Sequence, residues 1–140
     1  MKHVTRAIAL LLLLPLAITA VFAIVIKDRP KAHYDSGSVV VEWSTADESG
    51  VKKFDVLRAQ VKGDAPGEFR VVGSIDAVGR GSDYSFTDRD VFKDAGGVFV
   101  YKVRVIFRDG TFSDSQVSQS TPVLSSTAKR TWGSIKAMFR

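Results

Sequence analysis

The sequence predicts an all-β protein: a seven-stranded sandwich with a hydrophobic helix in front of it and a short amphipathic helix behind. Three observations lead there. Residues 98–107 read Val-Phe-Val-Tyr-Lys-Val-Arg-Val-Ile-Phe, an alternating aromatic and aliphatic run that suits a long central strand and stops at the turn dipeptide Asp109-Gly110. Turn formers recur at short, regular intervals through residues 31–123, the spacing of a sandwich. No stretch between them carries a convincing helical period.

The first element is a leader, residues 1–26. Lys2 and Arg6 precede an apolar run over residues 7–26 that contains Pro15 and one polar residue, Thr19. Twenty helical residues span about 30 Å, the thickness of a bilayer core. Two readings stand side by side. As a secretory signal the run is cut after Val21-Phe22-Ala23, although Ile24-Val25-Ile26 prolong it past that point. As an uncleaved anchor it ends at Lys27, Arg29 and Lys31, which would sit on the translocated side against the positive-inside tendency. Both readings place the remaining chain outside the cytoplasm, either held at the cell envelope or secreted. Residues 27–30 read as a linker.

Residues 31–123 form the domain. A first strand over residues 31–34 ends at Asp35-Ser36-Gly37. In the next, Val39, Val41 and Trp43 face one way and Val40, Glu42 and Ser44 the other. That alternation makes Trp43 core rather than a sugar-stacking platform. Asp47 and Glu48 open a loop, which they are expected to cap. A strand over residues 53–59 turns Phe54 and Val56 inward, and residues 63–67 are a loop of turn formers. Gly73 within the strand of residues 69–75 marks a bulge or an edge. Tyr84 and Phe86 share a face of the strand at residues 84–88. After the long strand, the chain returns as one last strand over residues 111–123.

Composition removes several functions. Without cysteine there is no disulfide, thiolate metal site, cysteine nucleophile or lipid-modified cysteine. His3 belongs to the leader, so a histidine-based triad or metal centre would rest on His33 alone. Asp88, Asp90 and Asp94 lack the alternating oxygen donors of a calcium loop, because Phe92 interrupts them, and read as a solvated acidic loop. No catalytic cluster and no cofactor are implied, and no enzyme is expected. The chain carries a formal +5, but residues 38–123 hold eleven Lys and Arg against thirteen Asp and Glu. The positive excess lies at the two ends. A domain without a basic stripe argues against nucleic acid as a partner.

The ordered set of residues carries a resemblance. Val41-Glu42-Trp43-Ser44-Thr45, then Glu48, then Phe54-Asp55-Val56-Leu57-Arg58 resembles the B and C strands of fibronectin type III domains, in the variant found in bacterial surface and secreted proteins. Phe69, Val72 and Gly73 resemble that variant's next strand, and Tyr84, Phe86, Thr87 and Asp88 its E strand. Tyr101-Lys102-Val103 and Asp109-Gly110 resemble its F strand and F–G turn. Phe99 stands where many members carry a tyrosine, so a tyrosine-corner bond from that position is unavailable. The resemblance covers residues 31–123 and implies a binding or spacer module without catalytic residues.

Residues 124–140 form a basic tail outside that resemblance. At about 100° per residue, Trp132, Ile135, Met138 and Phe139 fall on one arc and Lys129, Arg130, Lys136 and Arg140 on another. Such a segment is marginal as a free helix, and Gly133 weakens it further, so it needs a surface to lie on. An anionic membrane, a groove on an envelope protein and the chain's own sandwich are the three surfaces to weigh. The expected function is a non-enzymatic interaction or structural module of the cell envelope, delivered by its leader and docking through its tail. The alternative is a carbohydrate-binding accessory module for wall or exterior polysaccharide, for which Tyr34 and Phe92 are the candidate loop aromatics.

Overall fold

The computed structural model describes residues 25–93, 96–123 and 136–138. Among them, nine strand segments form two antiparallel sheets. One sheet has three strands in the order β1 (Lys31–Asp35), β2 (Ser38–Ser44) and β6 (Asp83–Asp88). The other is built on β3 (Val51–Lys62) and β7 (Gly97–Phe107). The stub β4 (Ala65–Pro66) and β5 (Arg70–Asp76) pair with β3. On the far side of β7 lie β8 (Phe112–Asp114) and β9 (Thr121–Val123). This order is that of a fibronectin type III-like sandwich.

The period-two pattern works as expected in the core. Val39, Val41 and Trp43 come from one sheet, and Phe54, Val56, Tyr101 and Val103 from the other; all are buried. The Trp43 and Tyr84 rings stack 5.3 Å apart, and Phe54 meets the edge of Trp43 at 5.9 Å. Such aromatic pairs add about 0.5–1.5 kcal/mol beyond their buried area.

Nine segments replace the seven strands expected, for two local reasons. β4 is set off from β5 by Pro66, which has no N–H to continue the ladder, and by the residues that follow it. The final strand expected over residues 111–123 is split into β8 and β9, because serines stand in for the ladder between them. Ser115 donates its N–H to Val103 O at 2.8 Å while its Oγ accepts from Val103 N at 3.0 Å. Ser118 repeats the arrangement on Tyr101, at 2.7 and 3.0 Å. The chain bulges away without orphaning β7's backbone groups. A short 3-10 turn at Asp90–Lys93 is a further difference from the strand-and-loop expectation.

Gly73 marks both a bulge and an edge. The β3–β5 register slips between Val56 and Leu57, and β5 pairs with no other strand among the described residues. A Cβ on Gly73 would come 2.2 Å from the Phe86 ring, so glycine is what lets the edge of one sheet close on the other.

The sandwich begins earlier than the sequence reading put it. Val25 is 7% exposed and belongs to the core, and Ile26 bridges Thr45. Lys27 N donates to Ser44 O at 3.0 Å, and Ala46 N donates to Val25 O at 2.9 Å. Residues expected at the end of the leader and in a linker thus prolong the edge pairing on β2. Buried Pro30, without a donor, separates them from β1.

Candidate functional site

No catalytic constellation emerges from the described residues; what the fold organises is the pair of ends at which flanking segments attach. At one end, the carboxylate of Glu48 is only 2% exposed and gathers three donors. Thr45 Oγ1 and Tyr84 OH each donate to Oε1 at 2.7 Å, and Gly79 N donates to Oε2 at 2.9 Å. Burial pushes this carboxyl up, and the hydrogen bonds outweigh it, so Glu48 sits below the usual glutamate value. Tyr84 is correspondingly raised by burial. The same group fastens the loop after β5: Val78 N donates to Tyr84 OH at 3.1 Å. Thr45 N in turn donates to Ser82 O, beside the Val25 bond to Ala46. The N-terminal attachment point, the Thr45–Glu48 loop and the loop over residues 77–82 are therefore one tied unit.

At the other end, Val123 pairs with Gly97, where the tail departs. Arg58 Nη1 meets Asp88 Oδ2 at 2.6 Å inside the sandwich, and Tyr101 OH donates to the same oxygen at 3.0 Å. Burial and the adjacent Asp88 carboxylate push the Tyr101 hydroxyl far above its ordinary value. Arg58 also lies over the Phe99 ring at 5.4 Å. This corrects the reading of Asp88 as part of a solvated acidic loop: it is 2% exposed and ion-paired, while Asp94 lies outside the described residues. No group of three metal-ligating residues exists among those described. Asp47 does cap its loop, accepting from Ser49 N at 2.9 Å, whereas Glu48 serves as the buried tether.

A cleft of about 460 Å³ lies between residues 25–29 and β8, with Val105 among its lining residues. Of the two acidic residues on its wall, Asp28 and Asp114, the second is already committed. Arg104 Nε and Lys102 Nζ both approach it at 2.6 Å, and Arg104 first, then Lys102, holds its carboxyl down at about 2.

Of the eight tail residues singled out, Lys136 and Met138 belong to a described helical turn at residues 136–138. Both are exposed, Met138 at 81%. Lys129, Arg130, Trp132, Ile135, Phe139 and Arg140 lie outside the described residues, as does the leader up to residue 24. Among the described residues, no helix is long and apolar enough to cross a membrane. Tyr34 is not the loop aromatic expected for a sugar platform. It lies in β1, half-buried against the core. The Phe92 side chain lies outside the described residues.

Sequence reasoning missed Glu48 as a buried tether and Arg58–Asp88 as an internal ion pair. The only available signal was position: Glu48 three residues after Thr45, and Arg58 alternating with Phe54 and Val56 on the inward face.

No family model and no curated protein matches the chain. Solved structures with similar folds include the pectate lyase Pel3 from Pectobacterium carotovorum, at 17% identity and a TM-score of 0.47 over 66% of this chain and 27% of that one. The pectate lyase PelI from Erwinia chrysanthemi, in complex with tetragalacturonic acid, is similar at 22% identity and a TM-score of 0.46, over 64% and 27%. An Fn3-like protein from Clostridium thermocellum is similar at 18% identity and a TM-score of 0.45, over 69% and 86%. The chain thus spans little more than a quarter of the lyases' length. At such scores the functional reading rests on this chain's own residues.

Proposed function

We propose that this chain is a non-enzymatic interaction and spacer module of the cell envelope. Its apolar leader delivers and holds one end of the sandwich, and its basic amphipathic tail engages an envelope protein from the other. The observation that supports this most is the position of the two attachment points. Ile26 bridges Thr45 at one end of the sheets, and Val123 pairs with Gly97 at the opposite end of β7. The eleven residues of β7 separate these levels by about 30 Å, at roughly 3.3 Å per residue.

That separation weighs between the surfaces considered for the tail. Only residues 124–127 stand between β9 and the amphipathic stretch, a reach of about 14 Å when fully extended. With that reach the amphipathic stretch still starts about 16 Å short of the leader's own bilayer when the domain stands upright, so it cannot lie flat there, and a protein partner is the better fit. Trp132, Ile135, Met138 and Phe139 would be the buried anchors, with Lys129, Arg130, Lys136 and Arg140 facing acidic groups.

Deletion of residues 124–140 tests the proposal. We expect the truncated chain to remain in the membrane fraction and to lose cross-linked envelope protein. Equal cross-linking with and without the tail would overturn this role.

A further inference from the structure

We infer that the N-terminal end of the sandwich is a bilayer-contacting surface, with Val78 as its apolar tip and phospholipid headgroups as its partner. This rests on the reading of the leader as a retained anchor. The observations come from the domain itself. Val78 is 60% exposed, in the loop that passes from β5 to β6. An isolated exposed valine is ordinary. This one is held out by a built support: its own N–H is bonded to Tyr84 OH, and the N–H of Gly79 is bonded to the buried Glu48 carboxylate.

The loop also sits beside the point where the leader joins. Gly81 packs so closely on the Thr45–Ala46 backbone that a Cβ there would lie 2.5 Å from Ala46 O. Ala46 N is the donor to Val25 O. Because Val25 and Ile26 are already part of the sandwich, no free linker separates residue 24 from this surface. A tethered end with no slack meets the headgroups at very high effective concentration, so even a small apolar tip is driven into contact.

Charge does not supply the attraction. Lys27, Arg29, Arg80 and Arg108 at this end are set against Asp28, Asp47, Asp83, Asp109 and the buried Glu48 carboxylate, and three of the exposed acids are engaged locally, Asp47 with Ser49, Asp83 with Ser44 and Asp109 with Thr111. Balanced charges suit zwitterionic headgroups, which offer both signs, and make the contact insensitive to salt.

The absence of cysteine allows a clean test. The full chain carrying Val78→Cys is labelled with an environment-sensitive fluorophore and reconstituted with phosphatidylcholine vesicles. A second chain carries the label at Val71→Cys. Val71 is similarly exposed but lies near the start of β5, about 17 Å below that strand's upper end at roughly 3.3 Å per residue. Both sites face solvent, so neither change burdens the fold. We expect vesicle flotation of both chains, a blue shift at position 78 that persists in high salt, and none at position 71. Flotation without a shift at 78 overturns the contact and leaves the anchor standing. Shifts at both positions mean the domain lies on its flank, which also overturns the proposal. Failure to float removes the anchor and the inference with it.

Discussion

Glu48 shows how one residue ties the N-terminal end together. A buried carboxylate is costly unless its lone pairs are satisfied, and here Thr45, Tyr84 and Gly79 satisfy them. Glu48→Gln keeps the shape but replaces one acceptor with a donor facing a donor. We expect a loss of about 1–3 kcal/mol, measured by urea denaturation at neutral pH. The same residue shapes the acid response. Glu48, Asp55 and Asp114 all sit below their ordinary values in the folded chain. Such groups contribute stability above their unfolded values, about 4, and lose it as pH falls through the folded ones. The urea midpoint should therefore decline below about pH 4 and continue falling toward 2, where Asp114 takes up its proton. Glu48→Gln should flatten part of that decline. An unchanged slope would mean that the tether is not ionised in the folded chain. Arg58 and Asp88 play a corresponding part at the far end, where each makes the other's burial tolerable.

At the scale of elements, alternation made the strands legible. Trp43, Phe54, Tyr84, Tyr101 and Val103 could be placed inside from period two alone, and all five are buried. Other features depend on partners distant in the chain and left no local trace. The splitting of the last strand follows from Ser115 and Ser118 meeting Val103 and Tyr101, a pairing that sequence spacing does not reveal. Leu57 and Ala59 are buried on the outer face of β3 as well, where Lys102, the register neighbour of Leu57, reaches toward Phe69. Val25 and Ile26 extend an apolar run and also pack into the sandwich; hydropathy cannot distinguish leader from core there. Gly73 was legible as an irregularity, but its reason, the Phe86 ring, lies on the other sheet. We expect Gly73→Ala to cost about 1–3 kcal/mol through overpacking. Adding Phe86→Leu should recover part of the loss in thermal denaturation. No recovery would place the strain elsewhere.

For the whole molecule, the consequence is polarity. The sandwich has a leader end organised by Glu48 and a tail end organised by Arg58 and Asp88, with β3 and β7 running between them. On the proposed reading, a module attached at both ends would set the distance between what it joins. The sequence reads the tail as a basic amphipathic segment, and where β9 ends bears on which surface that segment could reach.

The most direct test is therefore a distance across the molecule. Spin labels at Ala46→Cys, beside the leader junction, and at Pro122→Cys, in β9, report the separation of the two ends in the otherwise cysteine-free chain. Pulsed electron resonance should give on the order of 30 Å between the backbones, the span of the central strands. A separation of about 15 Å or less would put leader and tail at the same end and contradict the account.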